Sequence, residues 1–482
     1  MIDLMLGLWI VATLALYRAL EGRTATLVAM IGGWALLPNQ VISERAMLAG
    51  EKSNAIHALA IPSPPILDKA SAIGLGCLLG SILFDWRNFR RGGRPRWPDA
   101  PMIAWCLAPA ASALANGVPL PEGLAQSRHL ALAWGVPYAI GRSSFASAPA
   151  LLQYARAWTL AGLATLVPAL IEFARGPILY HLAYGFHPYR FSGSDRTLGH
   201  RPVLFFESGN QFGIWAASAA VASAWLWATG HRVPLRIGKW AIPASFVPLV
   251  LIGSCFLWQS HSAIVFLLLG LAPLSFRGRL GTAGRRLIQV GLILIGVAVL
   301  GAGIWIAAKS GGNPREATRT LFHGIGKASF TWRLARIADD FPQILRHPLL
   351  GWCRPDWSGR RPDGTFEDPI AISVWIHAAG MYGAVGWASC IGACLVPLLA
   401  AVNRLRRLDW GRAEWGGISA STAILAVNVA DLSMNSILIL PVLIASGGLA
   451  SWGLGMPGSV EGVHPDERGS RTYSVPGFKT HA

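Results

Sequence analysis

The sequence predicts an all-α, polytopic membrane protein, and three observations carry that reading. Of the 482 residues, 53% are apolar and only 13% charged, with a mean hydropathy of +0.45. That is too little charge for a soluble fold of this length. Apolar runs of spanning length recur from one end of the chain to the other. The basic residues behind the net charge of +17 sit in short loops between those runs. Such placement is what membrane orientation requires, and it argues against nucleic acid as a partner.

Taken in order, the first run, Met1–Leu20, carries Asp3 and lacks both a basic n-region and a small-residue cleavage site. It is expected to be a retained span near 4–20 rather than a secretion signal. Further spans are expected near 25–40, 66–84, 101–117, 126–141, 154–171, 203–228, 242–258, 262–276, 287–308, 372–402, 415–433 and 437–455. That makes about thirteen transmembrane helices. The run at 126–141 is the least apolar in pattern, since His129 and Pro137 interrupt it.

The loops Trp86–Trp97, Gly230–Lys239, Phe276–Arg286 and Asn403–Arg412 are short and strongly basic. Counting spans puts all four on one side, the cytoplasmic one. The N-terminus and the segments 172–202 and 309–370 then face outward. One transmembrane domain, 1–455, is followed by a polar tail, 456–482, expected to be disordered. No internal repeat is visible. Five of the six cysteines lie in apolar runs and no CxxC occurs, so neither a metal nor a disulfide framework is expected.

The outward segment 172–202 and the residues after it form a polar island between apolar runs. From Glu172 to Asn210 it holds Arg175, Arg190, Arg196 and Arg201, the histidines His181, His187 and His200, and the acids Glu172, Asp195 and Glu207. Guanidinium forks at a membrane surface suit a phosphate or diphosphate. Any one of these arginines reads better as the mark of a helix end and a solvated loop; for the island as a whole the interleaved aromatics and glycines favour a binding site. Glu207 falls roughly six residues into the expected span at 203–228, where a carboxylate is costly unless it faces a polar cavity. An ion pair with Arg201, about 1.7 helical turns earlier, would also account for it and would depress its pKa.

In the second outward segment, Phe330, Leu334, Ile337, Ala338, Phe341 and Leu345 recur at helical spacing, so Ser329–Leu345 is expected to be an amphipathic helix. Arg333, Arg336 and Asp340 occupy other positions on it. Arg354–Asp368 reads as loop.

Five blocks in these regions resemble the O-antigen ligase and O-antigen polymerase superfamily of bacterial inner-membrane glycosyltransferases, closest to its exopolysaccharide-polymerase branch. They are GVPYAIGR (Gly135–Arg142); YGFHP (Tyr184–Pro188) with Arg196 and HRPVLFFESGNQFGIW (His200–Trp215); QSHSAIVFLLL (Gln259–Leu269); SFTWRLARIADDFPQILRHPLLGW (Ser329–Trp352); and ISVWIHAAGMYGAVG (Ile372–Gly386). The resemblance covers roughly residues 130–390. Three positions depart from it. His261 stands where the family turn has Arg, and Cys353 takes the third place of a Gly-Trp-Gly. Ile372 and Ser373 stand where ligases carry a His, so that His is not carried over.

The resemblance implies a multi-pass protein of the bacterial inner membrane that joins glycans outside it. The donor would be an undecaprenyl-diphosphate-linked glycan and the acceptor a glycan or lipid, with other polysaccharide export components as further partners. It implies no cofactor, and the chain has neither a phosphate-binding GxxxxGK[ST] loop nor a metal-binding histidine pattern. Transfer needs cations beside the departing diphosphate and an oriented acceptor hydroxyl. Arg201, Glu207 and Arg333 are the catalytic candidates. Arg196, Arg336, His187, His200 and His377 are candidates for binding substrate. Trp332, Trp352, Trp357 and Trp375 are candidates for stacking on sugar or for the interfacial belt. Two other classes remain open. A flippase for the same lipid-linked oligosaccharide should show pseudo-symmetric halves, which this chain lacks; a non-catalytic envelope-assembly component would explain the departures.

Overall fold

The computed structural model describes residues 2–39, 67–92, 95–185, 195–233, 235–237, 240–275, 333, 337, 340–354, 357, 373–408, 410, 412–435 and 439–455. Almost all of these lie in helices or the short turns between them. The order is α1 (Ile2–Ala19), α2 (Gly22–Leu27) running through a π turn (Val28–Gly32) into α3 (Gly33–Leu36), α4 (Lys69–Phe84), α5 (Trp86–Arg91) and α6 (Ala100–Ala115). Then come α7 (Leu120–Leu130), a second π turn (Ala131–Gly135), α8 (Val136–Ser144), α9 (Ala148–Arg175), α10 (Leu179–Tyr184) and α11 (Gly209–Ala228). A two-stranded antiparallel hairpin, β1 (Leu235–Ile237) and β2 (Trp240–Ile242), precedes α12 (Phe246–Leu257) and α13 (His261–Ser275). The chain closes with α14 (Val374–Leu405), α15 (Gly416–Met434) and α16 (Val442–Gly453).

Among the described residues, four helices are long and apolar enough to cross a membrane: Ile2–Ala19, Ala148–Arg175, Val374–Leu405 and Ala413–Met434. Shorter apolar helices accompany them at Lys69–Phe84, Phe246–Leu257, His261–Leu274 and Val442–Gly453. Helix α9 shows why these surfaces suit lipid. Its inner residues Tyr154 and Trp158 are fully buried, while its outer ones are Leu160, Val167 and Leu170, exposed yet equally apolar. A helix apolar on both faces is a membrane helix or a core helix.

Helices α11 and α15 form the centre. α11 is built from Gly, Ala and Ser on most turns, so neighbouring backbones approach closely. A Cβ at Gly162 of α9 would lie 2.4 Å from Ala219. Asn428 of α15 donates to the Ser218 hydroxyl of α11 at 2.8 Å, a polar link between buried helices.

Polar groups segregate to the two ends of the bundle. At one end Gly416 packs on Thr229, His231 reaches the Ala413 carbonyl, and Arg404 donates to the Trp452 carbonyl. At the other end Asn39, Lys69, Glu172, the residues from Asp195 to Gln211, Arg333 and Asn435 come together.

Several boundaries differ from the sequence expectation. The run expected at 126–141 is part of a longer helical stretch beginning at Leu120, where Pro119 and Pro121 pre-set the first turn. The span expected from 203 begins instead at Gly209, capped by the Ser208 hydroxyl, which accepts from the Gln211 N–H at 3.3 Å. Glu207 therefore precedes the helix rather than lying inside it. Of the expected helix Ser329–Leu345, the described residues Arg333, Ile337 and 340–344 are helical, and Leu345 lies in the turn that follows. His187, Arg190, Trp332, Arg336, the span expected at 287–308 and the polar tail lie outside the described residues.

Candidate functional site

The polar island is shaped by a buried carboxylate. Glu172, fully buried at the end of α9, accepts from the backbone N–H of Leu179 at 3.0 Å, Val203 at 2.8 Å and Leu204 at 2.7 Å. Backbone donors at such depth need an acceptor, and no helix supplies one here. Glu172 thus ties the start of the island to its end and belongs to the scaffold, not to a ligand-facing surface. Leu204, held at φ +54°, is one of three described non-glycine residues with positive φ, a conformation that costs on the order of 1 kcal/mol.

Within this frame, His200 and Asp195 close a turn. Their side chains pair at 3.0 Å and their backbones form an antiparallel bridge. His200 is thereby a turn residue with its ring engaged by a carboxylate that is itself exposed.

Arg201 leaves the turn and lies along the glycine at the start of α11. A Cβ at Gly209 would sit 2.5 Å from Arg201 Nε, so the absence of a side chain makes the bed for the guanidinium stem. Arg201 Nη1 donates to Asn210 Oδ1 at 3.0 Å. The Nε atoms of Arg201 and Arg196 are buried and have no hydrogen-bond partner. Burial brings the Arg201 guanidinium down to about 10, and the positive charges of Arg196 and Arg333 push it the same way. Three arginines, two from the island and one from the distant second segment, thus share one electrostatic neighbourhood. Among the described residues no carboxylate lies within ion-pair distance of any of them.

Arg333 is seated on the end of α15. Its Nη1 donates to the Met434 carbonyl at 2.7 Å and to Asn435 Oδ1 at 2.5 Å. Burial lowers its pKa, with Asp431 opposing.

Glu207 does not pair with Arg201. Its electrostatic partners are Lys69, which favours the charged form, and Asp68, which disfavours it; burial dominates both and raises the carboxyl to about 7. The expected depression is reversed because the short segment between Arg201 and Ser208 presents its cation and its acid to different neighbours. Lys69 is itself buried. Its Nζ donates to the Phe205 carbonyl at 2.9 Å and to Asn39 Oδ1 at 3.4 Å, over the rings of Trp34 and Phe206. Asp68 caps α4 through the Ser71 N–H at 2.7 Å and lies 3.6 Å from His129.

The fourth and fifth sequence blocks interlock. Helix α14 is broken at Gly383, where φ is +64°, and the Pro348–Cys353 loop fills the break. Trp352 and Cys353 donate to the carbonyls of Gly380 and Met381 at 2.9 and 2.8 Å, while Ala384 and Val385 donate to Pro348 and Leu349 at 2.8 and 3.2 Å. Asn116 of the 116–119 turn bonds the Gly351 carbonyl at 2.8 Å.

His377, a turn into α14, is buried, its ring 6.4 Å from that of Trp357. Trp357 and Trp375 are buried as well, and Trp352 stacks on His347 at 4.0 Å. His377 is thus enclosed by neighbouring side chains, whereas Trp352 and His347 are half-buried. Arg201 feels the charges of Arg196 and Arg333, Glu207 faces Lys69 and Asp68 instead, and Glu172 and His377 are buried. Sequence reasoning missed Lys69, Asp431 and Asn435. The signal for two of them was present, since Lys69 and Asp431 are charges at or inside apolar runs.

No family model matches the chain, and no curated protein matches it.

Proposed function

We propose that this protein is a multi-pass glycosyltransferase of the bacterial inner membrane, with about thirteen spans, which transfers or polymerises undecaprenyl-diphosphate-linked glycan at the periplasmic face. The observation that carries the reading is the trio Arg196, Arg201 and Arg333. Arg196 and Arg333 both disfavour the charged form of Arg201, Arg196 and Arg201 keep buried Nε donors without acceptors, and no described carboxylate lies within ion-pair distance of the three. Guanidinium N–H donors left without acceptors are costly unless a ligand supplies the oxygens, and a diphosphate supplies them in the right fork geometry.

In the reaction, the acceptor hydroxyl attacks the anomeric carbon as the bond from that carbon to the diphosphate oxygen breaks. The leaving lipid diphosphate gains negative charge, which the arginines stabilise. The hydroxyl proton passes to Glu207, whose raised pKa suits a base near neutral pH. The resemblance to O-antigen ligases and polymerases supports the same reading from the sequence side.

The test is transfer by the purified protein of a labelled glycan from its undecaprenyl-diphosphate carrier. Arg201→Ala should cut the rate by about 10²–10³, the usual cost of one preorganised donor. Arg201→Lys should recover only part, since an ammonium lacks the bidentate fork. Full transfer by Arg201→Ala at matched membrane abundance would remove Arg201 from the site, and the trio would then be a headgroup anchor.

A further inference from the structure

Arg333 is held in an unusual way for a half-buried guanidinium. Among the described residues no carboxylate touches it. Instead Nη1 rests on the last carbonyl of α15, Met434, and on the side-chain oxygen of Asn435, which follows it. A helix C-terminus carries partial negative charge and orphan carbonyls, so it attracts a cation without cancelling its charge. The other half of the Asn435 amide is committed one turn deeper: Nδ2 donates to Asp431 Oδ1 at 2.5 Å, and the Asn435 N–H donates to the Asp431 carbonyl at 2.7 Å. Asp431 and Asn435 are both buried, 2% exposed each. The Asn435 carbonyl in turn accepts from the Val374 N–H at 3.3 Å, fixing the residue against α14.

An amide has one donor end and one acceptor end. Asp431 takes the donor end, and this leaves only oxygen for Arg333. A carboxylate at 435 itself would neutralise the guanidinium directly; a carboxylate one amide away orients it and leaves Nη2 and Nε without a protein acceptor among the described residues.

We infer that Asp431 and Asn435 are positioning residues, a relay that aims Arg333 at the diphosphate of the donor lipid while keeping its charge available. This rests on the reading of Arg333 as a donor-site cation. It extends the site to a helix that no sequence block included.

The experiment measures binding of undecaprenyl diphosphate to the purified protein in nanodiscs, for the wild type and for Arg333→Ala, Asp431→Asn, Asn435→Ala and the double variant Asp431→Asn with Arg333→Ala. Asp431→Asn keeps the side-chain volume and removes the charge. Each single variant should weaken binding about tenfold, the scale of one hydrogen bond to a charged group. The double variant should bind no worse than Arg333→Ala alone, because Asp431 acts only through Arg333. If Asp431→Asn weakens binding further by the same factor in the Arg333→Ala background, its role is structural and the relay is overturned. Weakening by Arg333→Ala with normal binding by Asp431→Asn and Asn435→Ala overturns the relay and leaves the donor site standing. Normal binding by Arg333→Ala overturns the donor-site reading and the relay with it. Asn435→Asp supplies an independent check: a carboxylate set directly on Arg333 should weaken binding although the arginine remains, and undiminished binding would count against the relay.

Discussion

The Glu172 carboxylate accepts from the Leu204 N–H at 2.7 Å, joining residues 32 apart in the chain. With Val203 and Leu179 it takes three backbone donors that have no other acceptor. Everything placed by the segment after Leu204, including Glu207 and the cap of α11, inherits its position from this carboxylate.

Glu172→Ala should therefore destabilise the protein and abolish transfer together. Each buried N–H left without an acceptor costs about 1–3 kcal/mol, so a loss of at least about 2 kcal/mol is expected. Glu172→Gln keeps one acceptor oxygen and should fall between. Thermal unfolding in detergent, followed by tryptophan fluorescence, reads the order. A Tm for Glu172→Ala equal to that of the wild type would show that water satisfies these donors.

Gly351 and Gly383 press backbone against backbone where the Pro348–Cys353 loop enters the break in α14. A Cβ at Gly351 would lie 2.4 Å from the Met381 carbonyl carbon and the Tyr382 nitrogen, and one at Gly383 would lie 2.3 Å from the Leu349 carbonyl carbon. Both glycines have φ of +64°, which an L side chain resists. Alanine at either place should cost on the order of 2 kcal/mol or more, combining strain with overpacking. The double variant should lose less than the sum, since either substitution alone opens the shared contact. Strictly additive losses in Tm would mean that the two glycines act separately.

The class of fold was readable because a membrane helix is written in composition and length, and α9 and α14 carry both. What sequence could not separate was a buried loop from a helix start. Val203, Leu204, Phe205 and Phe206 are as apolar as any helix interior, yet Glu172 takes two of their N–H groups and Leu204 adopts positive φ. The arginines were readable singly, as charges flanking apolar runs. Their meeting was not, because Arg333 contacts a helix end 102 residues further on. Asp431 stood in plain view inside an apolar run, but its partner is an amide and not the opposite charge that would have drawn attention to it.

Gly209→Ala tests whether the seat of Arg201 matters as much as the arginine. The added Cβ would collide with the Arg201 stem, which is flexible and can move aside. The fold should hold, and transfer should fall about tenfold as the fork leaves its preorganised position. In an Arg201→Ala background the same substitution should cost nothing more. A further tenfold loss there would assign Gly209 to packing alone.

The last prediction concerns pH. Glu207 titrates near its ordinary 4.5 in the unfolded chain and near 7 in the fold, chiefly because of burial. Between those values the folded protein binds more protons than the unfolded chain. This contribution to stability is thus fully present below about 4.5 and is lost as pH rises toward 7. Activity should run the other way, because a base must be ionised to accept the acceptor proton, so transfer should climb with pH through about 7. Glu207→Gln should flatten both dependences, raising stability at neutral pH while lowering the maximal rate. Lys69→Met removes the cation that opposes the shift, with Asp68 still reinforcing it, and should move the rising limb to higher pH. Lys69 also holds the Phe205 carbonyl, so this comparison is made on the midpoint of the limb and not on its height. A Glu207→Gln variant that keeps both its rate and the limb near 7 would take the proposed base role away from Glu207. The group titrating there would then have to be sought elsewhere around the three arginines.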